Sequence, residues 1–523
     1  MADDGPVRHN PTTLSAPDAP DLRRRPLTLL DKLGYGVGAT VDGVVHNILN
    51  FFLLFYVTAV CGLSGSLAGL ALSLGLAVDA VADPMIGVLS DGWRSRLGRR
   101  LPFMIVGAPA AAAGLILIFS APQGLGQAGM FAFILGASLL VRIGMSTFVL
   151  PFGALGAELS DDYAERSSIA AWRFALSMIA ALVVVSAGFG VFLKGPQGLL
   201  SRSAYTAFAA SAAGLMLLGA STAIWRGLAL RRRAHAEGIA ASGGLTALAA
   251  GIREAVRNPS FNVLVVSTLL LFVGQGVMLA LGLHANTYFW GLDETQIQVA
   301  NLSLFVGLLI GAPIFGSLLG RIEKRTLLVS SLLVLALIQA VPPSFRLVGW
   351  LPRDGATLTA IVSTALFLAG LCLCAAAISV ASMLADAADE HQFMFGTRRE
   401  GLYFAGWTFA AKAAGGVGSL VSGFVLQLSG FPSNLASAHV ILADRTTMAI
   451  GAAYGPGAAL FSLAGALTML FYRLDRKRHA EILQHLRPTT QSETAPVATA
   501  ADRVASRGST GTPSKAGVWH HIS

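Results

Sequence analysis

Asp79 and Asp83 stand four residues apart inside a long apolar run, and on a helix that spacing puts both carboxylates on one face. An ionisable group at bilayer depth costs roughly 2.5 to 3.5 kcal/mol on insertion scales, and two neighbouring carboxylates also repel each other. Packing alone does not offset this, so the pair needs a neutralising partner, and a small cation or a proton would serve. A cation that enters from one side of a membrane and leaves on the other begins a transport cycle. The pair is therefore expected to hold the coupling ion, Na+ or H+, with a Na+ site at Asp79 and Asp83. Just downstream the run ends at Asp91 and a burst of Arg94, Arg96, Arg99 and Arg100. Asp91 and Arg99 are expected to make gating contacts at that membrane surface.

Other side chains at depth carry charge or hydrogen-bonding capacity. Lys412, in AAKAAGGVG, sits about ten residues from either end of its run, too deep to reach water easily, and is expected to counterbalance the acids and couple to their occupancy. A snorkelling lysine is the competing reading. Asp42, His46 and Asn50 recur at four-residue spacing and form one polar stripe, as a wet substrate cavity would need. For His46 the alternative is a bond to a neighbouring backbone or helix. Arg142 lies mid-run with Ser146 and Val149 on its face. Either it meets the substrate or it forms a salt bridge to Asp42 or Asp79. A charged turn at Glu158, Asp162, Glu165 and Arg166 is mirrored by Asp386, Asp389, Glu390, Arg398 and Arg399. Gating salt bridges, with Arg166, Asp386 and Arg399 among them, and solvated loop charges both fit.

The elements that position these residues follow from composition. Of 523 residues 54% are hydrophobic and 12% charged, against about 25% charged in a soluble domain. Mean hydropathy is +0.66. Apolar runs occur near 35–59, 67–90, 102–121, 128–153, 169–193 and 204–228, then near 260–290, 297–320, 326–343, 357–385, 402–430 and 449–472. Each is near the ~20 residues of a spanning helix. The expected organisation is a disordered tail over 1–30, a six-helix bundle over 31–228, a central loop over 229–258, a second bundle over 259–487 and a disordered tail over 488–523. Proline and charge in the first tail, with no apolar stretch before Asp31, argue against a signal peptide. DPMIGVLSD at Asp83–Asp91 aligns without gaps with APIFGSLLG at Ala312–Gly320, so Pro84 and Gly87 answer to Pro313 and Gly316. Such an internal repeat is a transporter feature, with the site between the halves. Lys and Arg crowd the loops on the side of the termini, which predicts a multi-pass protein of the cell (inner) membrane with both termini cytoplasmic.

Several function classes are excluded. The formal charge of +9 fits loops facing anionic lipid and needs no nucleic acid. Cys61, Cys372 and Cys374 have no ligand spacing, and no GxxxxGK[ST] loop is present, so no enzyme, ATP-driven pump or cofactor is expected. The expected partners are a small-molecule substrate and the lipid bilayer, with the chain acting as a monomer.

The segment from Asp79 to Pro102 resembles the second helix and following loop of the glycoside-pentoside-hexuronide:cation symporters, a branch of the major facilitator superfamily that includes the melibiose carrier. The resemblance extends to KLGYGVGA at Lys32–Ala39, LPFGALGAELSDDYAERSSIAAWR at Leu150–Arg173, GTRREGLYFAGWTFAAKAAGGVGS at Gly396–Ser419 and YRLDRKRHAEI at Tyr472–Ile482. It implies an all-α membrane protein of twelve transmembrane helices in two six-helix bundles, working by alternating access. By the same resemblance Asp79 and Asp83 match the cation-holding acids, Ser146 falls near the cation, and Lys412 lies beside it. Arg173, Trp407 and Thr408 fall in the substrate cavity. The pattern departs at the sugar: the helix-4 aspartate aligns with Val149, its stacking tryptophan with Gly153, and the helix-1 aspartate with Gly43. The expected function is cation-coupled symport of a sugar derivative or glycoside. An anionic one such as a uronide, or a phosphate-bearing amphiphile, would be held by Arg142 and Arg173. A lysolipid carrier of the same fold and a transporter-like sensor are the alternatives.

Overall fold

The computed structural model describes residues 26–195, 198–230, 251, 253–352, 355–432 and 442–486. The two tails and the central loop expected from composition lie largely outside these residues. Among the described residues, twelve helices are long and apolar enough to cross a bilayer. In the first half they are α1 (Leu29–Val60), α2 (Gly65–Gly92), α3 (Leu101–Phe119), α4 (Gln127–Glu158), α5 (Ala164–Phe192) and α6 (Arg202–Leu230). The second half holds α7 (Pro259–Phe289), α8 (Glu294–Leu318), α9 (Lys324–Leu347), α10 (Ala356–Phe395), α11 (Glu400–Leu428) and α12 (Asp444–Phe471). A short helix, α13 (Arg476–Leu486), follows.

Local chemistry sets several starts. Asn258 accepts a hydrogen bond from the Phe261 amide at 3.0 Å just ahead of Pro259, so side chain and proline together begin α7. Asp293 and Gln296 form a reciprocal capping box at the start of α8. The repeat places Pro84 in α2 and Pro313 in α8, the second helix of each half. Two helices outrun their apolar stretches: α4 continues to Glu158 and α10 to Phe395. The additional turns of α10 are polar, and Asp386 is held there by Lys324 at 2.6 Å.

The halves meet through α2 against α11, α1 against α7, and α5 against α8. Contact is closest at the end remote from the two chain termini. There a methyl on Gly69 would stand 2.8 Å from the Ser419 carbonyl oxygen and 2.9 Å from Gly423 Cα, so small residues let α2 and α11 touch backbone to backbone. Thr58 Oγ1 of α1 lies 2.8 Å from His284 Nε2 of α7, with both residues buried. Phe55 adds ring contacts to His284 at 5.0 Å and Tyr288 at 6.0 Å. Gln298 of α8 donates to the Ser186 carbonyl of α5 at 3.3 Å.

Ion pairs at the terminal end are arranged differently. Arg99 and Arg100 reach Glu158 at 3.0 and 3.2 Å, and Arg100 also pairs with Asp91. Asp389 meets Arg398 at 3.4 Å and His479 of α13 at 3.1 Å, while Arg399 lies 3.5 Å from Glu254. The pairs at Asp91, Glu158 and Asp389 stay within one half, while Arg399 reaches Glu254 of the segment that joins the halves. Arg166 is exposed. Of the residues expected to gate, Asp91, Arg99 and Asp386 thus steady their own bundles in this conformation, Arg399 reaches the segment between the halves, and the seal between the halves that the structure shows lies at the far end.

Candidate functional site

Asp79 and Asp83 project from α2 toward α4 and α11. Asp79 is 8% exposed. Its Oδ1 accepts a hydrogen bond from Ser146 Oγ at 2.9 Å, and its Oδ2 lies 2.9 Å from Lys412 Nζ and 3.7 Å from Arg142 Nη1. Lys412 also donates to Asp83. Lys412 belongs to α11 in the second half, so the contact ties the two bundles at mid-membrane. The two acids expected to need a cation are thereby neutralised by protein cations. Of the two readings of Arg142, this arrangement displays the salt bridge to Asp79.

Small residues make the cluster possible. A methyl on Gly75, one turn from Asp79, would lie 2.9 Å from Arg142 Nε, so the arginine stem crosses α2 over a bare backbone. On the facing helix a methyl on Gly416 would lie 3.6 Å from the Ser73 carbonyl, which brings α11 near enough for Lys412 to reach both acids. The oxygens of Asp79, Asp83 and Ser146 are the hard donors a Na+ prefers, once Lys412 withdraws.

Beside this cluster, toward the terminal end, α1, α4 and α5 enclose a cavity of about 330 Å³. Asp42, Arg173 and Ser177 supply its polar wall, and Val149, Phe152 and Phe174 much of its apolar one. Ser177 donates to Asp42 at 3.3 Å. The Arg173 guanidinium lies 4.5 Å over the Phe152 ring and donates to the Gly153 carbonyl at 3.4 Å. Two departures from the sugar-carrier pattern now have a physical reason. A methyl on Gly153 would sit 3.4 Å from Arg173 Nη2, so a larger side chain would displace the guanidinium. At Gly43 a methyl would collide with the Ser177 carbonyl, so α1 and α5 are too close there for an aspartate.

His46 is exposed although α1 is the most interior span, with 83% of its apolar window buried. Its stripe, with half-buried Asp42 and Asn50, therefore faces a wet cleft between the bundles. Thr408 is exposed one turn from Lys412 and donates to the Phe404 carbonyl at 2.9 Å. Trp407 packs on Phe272 at 5.9 Å, and its indole N–H is buried without a hydrogen-bond partner among the described residues. The structure thus brings Asp79, Asp83, Arg142, Ser146 and Lys412 into one cluster and Asp42 and Arg173 into one cavity, with His46 exposed one turn along α1 from Asp42. Ser177 was missed, although its four-residue spacing from Arg173 put it on the same face. Nothing local in the sequence marks Gly75 or the Thr58–His284 contact, because both depend on a second helix.

The profile of the MFS/sugar transport protein family matches residues 34–476. An uncharacterised symporter of Synechocystis sp. is 27% identical over 546 residues, covering 90% of this chain and 99% of its own. The mouse sodium-dependent lysophosphatidylcholine symporter 1 is 24% identical over 507 residues, covering 90% and 91%. Among solved structures the nucleoside transporter NupG superposes with a TM-score of 0.61 at 15% identity, over 85% of this chain and 100% of its own, a likeness of fold alone. A match from the first span through the last, on twelve helices in two bundles, makes this chain a member of the MFS/sugar transport protein family.

Proposed function

We propose that this protein is a cation-coupled symporter of a small organic solute in the cell (inner) membrane, acting as a monomer with both termini cytoplasmic. The observation that carries the reading is the tie from Lys412 across the bundles to Asp79 and Asp83. A Na+ or H+ at the acid pair competes with Lys412 for the carboxylates, loosens the tie and lowers the cost of moving the halves past each other. By the distribution of loop charges we read the far end as the outside, and on that reading the described conformation is closed to the exterior. The solute occupies the cavity at Asp42 and Arg173. It is a sugar derivative or glycoside, and an anionic one suits Arg173, whose planar fork matches carboxylate and phosphate. Arg142 is freed to contribute when the acid pair binds a cation.

A second reading, an amphiphile carrier, is favoured by the apolar wall of Val149, Phe152, Phe174 and Met178 and by likeness to a lysophosphatidylcholine symporter. A ligand-stabilisation screen of purified protein with and without Na+, across glycosides, uronides and lysolipids, separates the two. For the hit, proteoliposome uptake under an imposed Na+ or H+ gradient tests symport. Asp83→Asn should lose accumulation and keep downhill exchange. Undiminished accumulation by that variant removes the acid pair from coupling, and the absence of any uptake by the purified protein supports a sensor.

A further inference from the structure

The internal repeat differs between the halves at the membrane surface nearest the termini. In the first half Asp91, at the end of α2, pairs with Arg100, and Arg99 and Arg100 hold Glu158 of α4. In the second half Lys324, at the start of α9, holds Asp386 of α10 at 2.6 Å much as Arg99 holds Glu158. The counterpart of Asp91, however, is Gly320 just past α8, so this half lacks the other carboxylate. A cavity of about 250 Å³ opens at that place, walled by the turn between α8 and α9, by α10 and by α13. A side chain on Gly320 would have room, because a methyl there meets nothing within 4 Å.

The acids around this cavity are largely engaged, and several of the bases are not. Asp386 is held by Lys324, and Asp475 accepts a hydrogen bond from the Arg478 amide at 2.8 Å and so caps α13. Glu323 alone of the lining acids makes no such contact among the described residues. Arg325 donates through Nε and Nη2 to the carbonyls of Met469 and Leu470, at 3.1 and 3.0 Å, which leaves its Nη1 for a further acceptor. Arg476 also lines the cavity and makes no ion pair among the described residues. The same holds for exposed Arg321, Arg473 and Lys477, each adjacent in sequence to a lining residue. Where Arg325 reaches the end of α12, Leu470 and Phe471 are 60% and 73% exposed, so an apolar surface adjoins the basic one.

We propose that this cavity binds the phosphate of an anionic phospholipid from the leaflet on the terminal side. The phosphate stands on Arg325 and Arg476 as the Asp91 carboxylate stands on Arg100 in the first half. Arginine's planar fork matches phosphate oxygens, and a basic pocket between membrane helices at this surface suits a lipid headgroup. Free phosphate has the same headgroup chemistry, but the exposed Leu470 and Phe471 give acyl chains a surface that it would leave uncovered. The lipid is thus an exchangeable substitute for a fixed acid. It sits within the second half and outside the transport cleft, so the inference stands apart from the identity of the solute and of the coupling ion.

The full chain, purified in dodecyl maltoside, is titrated with dioleoyl-phosphatidylglycerol or dioleoyl-phosphatidylcholine, and bound lipid is measured by native mass spectrometry. Phosphatidylglycerol should bind at least about tenfold more tightly than phosphatidylcholine, the weight of two bases beside an anionic headgroup. Arg325→Gln with Arg476→Gln should abolish that preference. Gly320→Asp, which supplies the missing carboxylate from the chain itself, should abolish it too without lowering the melting temperature, and it keeps the test readable if the arginine variant fails to fold. Arg473→Gln with Lys477→Gln removes the same formal charge outside the cavity and should keep the preference. Inorganic phosphate at the same concentration should not displace phosphatidylglycerol. No preference in the parent protein, or a preference that survives Gly320→Asp, overturns the proposal. Equal loss in the two double variants overturns it as well, since it shows diffuse attraction to a basic surface. Displacement by inorganic phosphate overturns the lipid assignment in favour of a free phosphate site.

Discussion

Lys412 is held by two carboxylates that belong to the other half of the molecule, so its removal leaves Asp79 with Arg142 and Ser146 and leaves Asp83 with none of its named partners. Breaking such a pair from one side is costlier than removing both members. Lys412→Met should therefore lower the melting temperature in cation-free buffer, and adding Asp83→Asn should recover part of the loss. The coupling energy is expected at about 0.5 to 3 kcal/mol from a double-mutant cycle of thermal unfolding. Additive effects would mean that the contact is incidental. Gly75 gives a second expectation at this scale. Since a methyl there meets Arg142 Nε at 2.9 Å, Gly75→Ala should push the guanidinium off Asp79 and reproduce the cation affinity of Arg142→Gln in a binding titration. The acids and the lysine were legible in the sequence because charge at depth has a cost that packing does not offset. Gly75 was not, because its role is the absence of atoms opposite a residue 67 positions along the chain.

Among the elements, α2 and α11 form the most intimate crossing between the bundles, and glycines at 65, 69 and 423 let their backbones meet. Gly423→Ala has no flexible side chain to displace, because its methyl would press on Gly69 Cα at 2.7 Å. Overpacking of this kind costs about 1 to 3 kcal/mol. The crossing lies in the far-end seal of the described conformation, so the variant should loosen that seal and raise labelling, by a membrane-impermeant maleimide applied from outside, of a cysteine placed at Asn50. Unchanged labelling would show that the glycines do not set the seal. The spans themselves were readable from apolar length, and the repeat correctly paired the prolines of α2 and α8. The ends of α4 and α10 were read too short because hydropathy stops at the bilayer surface, whereas a helix continues wherever charge contacts support it. For α10 those contacts are Lys324 on Asp386 and Arg398 with His479 on Asp389.

For the whole molecule, the conformation was the part the sequence could not disclose. Reading Asp91, Arg99, Asp386 and Arg399 as gating charges requires knowing which end is shut, and either end can be shut by the same residues at different moments of a cycle. In the described conformation the far end is closed by α1 on α7 as well as by α2 on α11. The Thr58–His284 contact is the polar centre of that closure, ringed by Phe55, Tyr288 and Phe431. Thr58→Val leaves His284 Nε2 buried without its partner, at a cost of about 1 to 3 kcal/mol to the closed form. Outside labelling should rise correspondingly, and His284→Phe, which removes both polar groups' mutual demand while filling the ring space, should raise it less. Equal labelling in Thr58→Val and the parent would assign the closure to the aromatic rings alone.

The glycine crossing of α2 and α11 acts mechanically as a fulcrum. Asp79 lies ten residues along α2 from Gly69, a lever arm of about 15 Å at the helical rise per residue. Rocking one bundle by about 10° about that point sweeps an arc of roughly 2.5 Å at the acids, which is sufficient to part an ion pair that began in contact. The separation of Lys412 from the carboxylates and the tilt between the bundles are then a single coordinate. A distance probe across that pair would read the angle of the transporter directly.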